Sequence, residues 1–511
     1  YRKYVPVEFL TEGIDQTRGW AYSLLILSVI FNKAPKSCYK AFLFQGHILG
    51  PDEAKMSKSL GNIIDGNKTL SQYPVDAIRF YFAWKVSPIA TLVFKPDEIL
   101  GRPFQVLNTL YHLHVYLQQN SALDGFDDKK HNLKWAMRSG KPSFLDWWIL
   151  SRTQIAIVET VKAYSKSEFN EAARILEKFI IEEISQKYVP AIRRELWSDD
   201  PSTLDRRLTI YSVLAYCLKR ADILLHPICP FITEGLYLEC FEDRKDSILL
   251  ENFPEVEKEL VNDKIDKKFA TIDRMVSAAN ALRMKARLKR RWPVRETVFV
   301  ISKREDFTEQ EIGVLKDLIN TKQLTIVSDL ASAPTKYNIK PNMQTLGKKL
   351  RKDLPKLLNF LEKADRDGLA KELIAKKKLE VKIEDMGFTL QDEDFQFLIE
   401  PQEGYDLLES DDITVLMKTS REDDLIKEGT IRDVARRIQA YRKEIGLNPT
   451  QIVKSVILWS DDIEIIETVR EKGEELKFLV RTEKVETVER LDGDWKKEEI
   501  DDKILAIKII S

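Results

Sequence analysis

The chain has 511 residues, enough for several domains of ordinary size. Its 81 basic and 82 acidic residues leave a net charge of -1, so any surface that binds a polyanion has to be local. The four cysteines (Cys38, Cys217, Cys229, Cys240) form no CxxC pair, which argues against a zinc knuckle or disulfide framework and fits a reducing cytosol. No apolar run reaches the roughly 18 residues of a membrane span.

Residues 1–90 read as α/β. The opening "YRKYVPVEFL" has no initiator methionine and no signal-peptide pattern, and it enters an apolar strand at once. The expectation is a chain that starts inside a domain. "VPVEFLTEG" reads as a short strand, and "TRGWAYSLLILSVIF" has the length and period of a buried helix. "YKAFLFQGHIL" reads as one dense apolar strand, and "VDAIRFYFAWKV" as an amphipathic helix with Pro74 ahead of its first turn. That order predicts a parallel sheet with crossovers. From about 100 to 300 the pattern is helical. "EILGRPFQVLNTLYHLHVYLQQ" is a long helix and "DDKKHNLKWAMRSGKPS" a polar connector. Three further stretches, 144–164, 169–196 and 204–227, keep a 3.6-residue period, which predicts a helix bundle. The helix "KKFATIDRMVSAANALRMKARLKR" runs on until Pro293 stops it. From 296 to 511 strands and helices alternate, predicting one or two small α+β domains. No internal repeat or low-complexity segment stands out. The fold class is α/β, then all-α, then α+β.

The stretch from Gly46 to Asn62, "GHILGPDEAKMSKSLGN", carries two lysines three apart among small residues. Lysine is a compact charge with three donors, suited to phosphates. Positioned cations stabilise the charge that builds on a departing pyrophosphate. By composition alone such a stretch is a solvated turn. Its context says otherwise. "KMSKS" and then "LGN" follow an apolar strand and precede Tyr73, Asp76, Ala77 and Arg79. This arrangement resembles the signature loop of the class I aminoacyl-tRNA synthetases, departing from the family's usual glycine at Pro74. The string Glu12-Gly13-x-Asp15-Gln16-x-Arg18-Gly19-Trp20 is similar to the adenylate-binding segment of the isoleucyl members, and unlike that of the valyl or leucyl ones. The resemblance implies that Glu12 meets the substrate's ammonium and that Gly13, Asp15, Gln16 and Trp20 line the same pocket. It implies that Lys58, Lys55 and Ser57 contact ATP, Lys55 alternatively steadying the loop. Met56 reads as packing. His47 either borders the adenine or ends a strand. Mg2+ would accompany ATP; neither a dedicated metal site nor a zinc site is evident.

The helical region carries the resemblance further. "FLDWWILSR" (144–152), "ISQKYVPAIRRELW" (184–197) and "LLHPICPFITEGLY" (224–237) resemble the family's anticodon-binding bundle. Trp147 and Trp148 read as core. Arg193 and Arg194 read either as a solvated face or as an RNA-facing pair. Residues 281–295 form the most basic stretch. On a helix, Arg283, Arg287, Arg290 and Arg291 share one side. A bland basic face is one reading; the resemblance favours tRNA backbone contact through Arg283, Arg287, Lys289, Arg290 and Arg291. Trp292 either stacks on a base or caps the turn. Residues 337–352 and 431–449 are similar to C-terminal segments of archaeal and eukaryotic-type isoleucyl enzymes. The implied layout is half of a Rossmann-type catalytic domain over 1–95, a helical connection over 96–142, an anticodon-binding bundle over 143–295, and a tRNA-interacting α+β region over 296–511. The family's HIGH motif and editing domain do not occur in this sequence. The implied protein is the C-terminal portion of a cytoplasmic, monomeric isoleucine–tRNA ligase with isoleucine, ATP and tRNA(Ile) as partners, inefficient alone at forming adenylate. A valyl or other branched-chain synthetase, and a non-catalytic tRNA-binding protein, remain as alternatives.

Overall fold

The computed structural model describes residues 5–31, 37–197, 200–301, 306–383, 386–410, 412–448 and 451–510. The chain divides into two compact units, Tyr1–Phe269 and Ala270–Ser511. It is a mixed α/β molecule with many helices. Among the described residues no helix is long and apolar enough to cross a membrane.

In the first unit, β1 (Val7–Gly13) runs parallel to β2 (Tyr39–Gln45), with α1 (Trp20–Phe31) in the crossover. The single strand expected over 39–49 is two. After β2 the chain turns at Gly46 and His47, and β3 (Ile48–Leu49) pairs in parallel with β4 (Leu92–Val93). The cause is a close backbone approach. Gly46 N–H donates to the Pro88 carbonyl at 3.0 Å, and a Cβ on Gly46 would stand 2.0 Å from the Ala90 carbonyl oxygen. Only glycine fits there. The expectation that α1 is buried is also corrected. Only Ala21 and Ser28 are buried along it, while Ile30 and Phe31 are 65% and 75% exposed. The helix is apolar all round, and among the described residues little of that surface finds a partner.

Next come α2 (Gly66–Gln72), N-capped by the Asp65 side chain, and α3 (Val75–Lys85), with Pro74 at its N-cap. The bundle is built mainly from the helices Arg102–Ser121, Phe144–Ser165, Leu204–Leu225 and Pro230–Cys240. The connector expected over 127–143 holds a short helix, Leu133–Arg138. The helical run from Phe169 to Leu196 changes pitch to π over Phe179–Tyr188, just ahead of Pro190. Proline lacks an N–H and crowds the carbonyl four residues back, and the wider π turn relieves both. Trp148 is in the core, its ring stacked on Phe269 at 3.6 Å.

The second unit contains a duplication that the sequence conceals. A helix (Asp263–Lys285, whose latter part lies in this unit) leads into the strand Val294–Ile301. A second helix, Glu309–Ile319, leads into the strand Thr321–Val327, parallel to the first. The hairpin Tyr405–Ser410 and Ile413–Lys418 then adds two antiparallel strands on the other side. The same plan recurs. The helix Asp423–Glu444, strand Val453–Ser460, helices Ile463–Glu471 and Gly473–Val480, parallel strand Thr482–Thr487 and hairpin Lys496–Ile500 with Lys503–Ile510 form a sheet of the same strand order. The registers match as well: Val294 faces Thr321 and Val453 faces Thr482. The copies differ between the last parallel strand and the hairpin. The second uses 8 residues there, 488–495; the first uses 77, 328–404, most of which build a separate small core around Ile339, Leu357, Leu373 and Leu390.

The likeness extends to single atoms. Arg283, 1% exposed, donates to the carbonyls of Lys289, Trp292, Ile319 and Asn320. Arg442, also 1% exposed, donates to those of Asn448, Gln451, Val480 and Arg481. Four residues after each arginine the backbone takes a positive φ, 55° at Arg287 and 76° at Gly446. One residue later, Leu288 and Leu447 each donate an N–H to the carbonyl of their arginine. Asn320 and Arg481 are both left-handed, and the hydroxyls of Thr321 and Thr482 each donate to the carbonyl two residues on. Across positions 283–301, however, only Arg283, Leu288 and Val294 are identical to their counterparts.

Candidate functional site

Ligands of parallel α/β sheets gather at the carboxyl ends of the strands. Two sequence-predicted segments emerge there. β1 ends at Glu12 and Gly13, in register with Phe44 and Gln45 of β2, and the Gln45 amide donates to Thr11 Oγ1 at 3.1 Å. The chain then winds through a 3-10 turn, Ile14–Arg18, into α1. Gly13 is needed for this turn: a Cβ there would stand 2.6 Å from Asp15 Oδ1. Gln16 Nε2 donates to Asp15 Oδ2 at 3.1 Å, and Trp20 N–H donates to Gln16 Oε1 at 3.4 Å. Gly13, Asp15, Gln16 and Trp20 thus form one connected cluster directly after the half-buried Glu12. Trp20 is exposed.

The lysine loop follows β3. Gly50 N–H donates to the Ala54 carbonyl, Leu49 and Lys55 form an isolated bridge, and Lys58 opens a 3-10 turn that Gly61 closes at φ +69°. Asn62, which the sequence reading did not single out, holds the loop together. Its Oδ1 accepts from Ser57 N–H at 2.9 Å, and its Nδ2 donates to the Lys55 carbonyl and to Asp52 Oδ2, both at 3.3 Å. The Asn62 hydrogen bond and the Ala54 N–H hold the Asp52 carboxyl below the usual range. Ser57 Oγ lies 3.0 Å from Ser59 Oγ. Met56 packs towards Gly50, where a Cβ would lie 3.6 Å from its Cγ. Lys55 and Lys58 are exposed, and neither ammonium has an acidic partner among the described residues. A polar side chain thus fixes the backbone while both cations face outward. The arrangement can receive an anion without first breaking an ion pair.

His47 sits where β2 hands over to β3. Its carbonyl accepts from Leu92 N–H at 2.8 Å, and its side chain is exposed. A cleft of about 530 Å³ opens beside it, lined by Gln45, Gly46, Ile48, Phe82, Ala90 and Leu92 among others. The residues that carried the resemblance downstream are structural. Asp76, buried, accepts from Ile232 N–H at 2.6 Å, and Arg79 donates to the carbonyls of Ile228 and Pro227 at 2.7 and 3.1 Å. They fasten α3 to the bundle. Tyr73 donates to Asp97 at 3.3 Å. Among the described residues no three His, Cys, Asp or Glu side chains converge to hold a metal ion.

The basic stretch departs from expectation. Its helix ends at Lys285, and Arg287 turns the chain, so Arg283, Arg287, Arg290 and Arg291 do not share a helix side. Arg283 is spent inside the fold. Burial, with Arg290 and Arg432 nearby, pushes its guanidinium down to about 10, still charged at neutral pH. Lys289 and Arg291 pair with the buried Asp433, Lys289 also with Asp501, and Arg295 with Glu422 and Asp424. Trp292 neither stacks outward nor caps: its ring lies on Gly429 and its indole N–H donates to Asp433 at 3.0 Å. Only Arg287 and Arg290 of the five candidates are exposed.

Comparison with known proteins places both halves of this description. Residues 1–93 match the family model for class I tRNA synthetases (I, L, M and V), and residues 146–299 match that for the anticodon-binding domain of tRNA ligases. The chain is 28% identical to the isoleucine–tRNA ligase of Methanopyrus kandleri over 98% of its own length and 46% of that protein's. It is 36% identical to the isoleucine–tRNA ligase of Pyrobaculum aerophilum over 64% of its length and 32% of that protein's. The chain therefore spans less than half the length of these curated relatives. Among solved structures, a LeuRS–tRNA–LeuAMS complex from Agrobacterium radiobacter aligns over 51% of this chain and 30% of that one, at 18% identity and a TM-score of 0.39.

Proposed function

We propose that the chain belongs with the class I aminoacyl-tRNA synthetases of the isoleucyl type, and that it carries part of the machinery that activates isoleucine with ATP and loads it onto tRNA(Ile). In this reading residues 1–95 are one half of a Rossmann-type catalytic domain. The isoleucine carboxylate attacks the α-phosphorus of ATP, the α–β phosphoanhydride bond breaks, and pyrophosphate leaves. The acyl group then passes from the adenylate to a terminal ribose hydroxyl of tRNA, releasing AMP. Lys58, helped by Lys55 and Ser57, meets the charge that grows on the leaving pyrophosphate, where a positioned cation acts most strongly. Glu12 holds the substrate ammonium, and Gly13, Asp15, Gln16 and Trp20 enclose the aminoacyl part. His47 borders the nucleotide. Magnesium would come with the ATP phosphates and neutralise part of their charge, in keeping with its preference for phosphate and water oxygens.

The observation that carries this reading is the loop tied by Asn62, which follows β3 and presents Lys55 and Lys58 outward, in a chain whose β1 ends in the Glu12 segment. Isoleucine-dependent pyrophosphate exchange in the purified gene product tests it. Lys58→Ala should lower the exchange rate about 100-fold or more, the scale of losing one transition-state donor, while tRNA affinity stays within about twofold. Equal losses in both would make the loop structural. Faster exchange with valine than with isoleucine would overturn the substrate assignment. No exchange with any amino acid, beside retained tRNA binding, would overturn the enzymatic reading.

A further inference from the structure

The duplication supplies an internal control for the basic loop. In the second copy the fold keeps the buried arginine, the positive-φ turn and the leucine after it, yet has no cation at the place of Arg287, where Gly446 stands. The module therefore does not require that charge. Arg287 is even unfavourable locally, because φ 55° is a region that glycine occupies freely and a residue with a Cβ does not.

The second copy nevertheless contributes to this surface. Arg432, on the helix Asp423–Glu444, donates to the Arg291 carbonyl at 3.1 Å and to Asn320 Oδ1 at 2.7 Å, clamping that helix to the loop of the first copy. One helical turn on stands Arg436, exposed. Burial pushes the Arg291 guanidinium down, and the nearby charges of Arg436 and Arg437 add to it. Four acidic groups of the neighbourhood already hold cations: Asp433 holds Lys289 and Arg291, Asp501 holds Lys289, Glu428 holds Arg432 and Lys322, and Glu498 holds Arg437. Arg287, Arg290 and Arg436 remain, exposed and without an acidic partner among the described residues.

We propose that Arg287 and Arg290 of the first copy and Arg436 of the second form one phosphate-binding surface for an RNA backbone, built across the seam between the copies. Guanidinium groups suit phosphate oxygens because their planar fork offers paired donors. Such contacts position an RNA without reading its bases. The surface rests on the reading of this chain as a tRNA ligase and names a place where the tRNA lies.

Binding of a tRNA(Ile) transcript to the purified protein, titrated over a salt series, tests it. The triple variant R287Q/R290Q/R436Q should flatten the dependence of log K on log salt by about 2–3, close to one for each phosphate that the protein no longer neutralises. R436Q alone should remove about one, and R287K/R290K/R436K should keep the full slope. An unchanged slope in the triple variant overturns the surface, and an unchanged slope in R436Q overturns the seam. Isoleucine-dependent pyrophosphate exchange in the full-length gene product needs no tRNA and tests the ligase reading separately, while the salt slope reports on the arginines.

Discussion

Four residues beyond the buried arginine of the first module stands Arg287; at the matching place in the second stands Gly446. Between the last parallel strand and the hairpin the first module runs 77 residues, the second 8. What the two modules share is what the fold demands: an arginine filling a ring of carbonyls at the end of a helix, a left-handed turn after it, and a threonine opening the next strand. What differs is what the fold leaves free, namely surface charge and the length of one connection. The comparison therefore separates residues kept for architecture from residues available for a ligand, within a single chain.

The shared latch offers the sharpest way to break this comparison. Arg442→Ala should cost roughly 3–5 kcal/mol of unfolding free energy, because a buried guanidinium and its four carbonyl partners are parted at once. Arg283→Ala should cost a similar amount. A urea titration in which either loss stays under about 1 kcal/mol would mean that the two latches are not equivalent. Next in size is Gly446→Ala, expected to cost about 1 kcal/mol because the added Cβ meets a positive φ. The smallest effect sharpens the contrast: Arg287→Gly should change stability by no more than about 0.5 kcal/mol, since relief of the turn offsets the extra freedom of the unfolded chain. It should nonetheless flatten the salt dependence of tRNA binding by about one. A destabilisation as large as that of Gly446→Ala would show that Arg287 serves the fold after all.

The parts legible in the sequence were those whose meaning is local. The lysine loop and the Glu12 string announce themselves by residue identity over a few positions. The helices at 144–165 and 204–225 announce themselves by period. What stayed hidden depended on distant partners. The strand over 39–49 divides because Gly46 meets Ala90, about 44 positions away, a proximity that no periodicity reports. Arg283 looked like one more surface cation because charge is countable in sequence and a cradle of carbonyls 36 and 37 residues downstream is not. The duplication escaped for a related reason. Its equivalence lies in backbone hydrogen bonds and φ angles, which many sequences satisfy, and only three of nineteen positions around the latch kept their residue. Asn62 is the opposite case: local, but one amide among many, with nothing in its neighbours to show that it would tie the loop.

The attachment of α3 to the bundle bears on how the molecule is made. Asp76 and Arg79 find their partners 148 to 156 positions further along the chain. On a ribosome adding about 5–20 residues each second, those partners are synthesised roughly 8–30 seconds after α3 itself. Throughout that interval α3 has no bundle to dock against. The order of synthesis thus opposes early completion of the α/β segment that ends in α3, and that segment would need to be shielded until residues near Ile232 have left the exit tunnel.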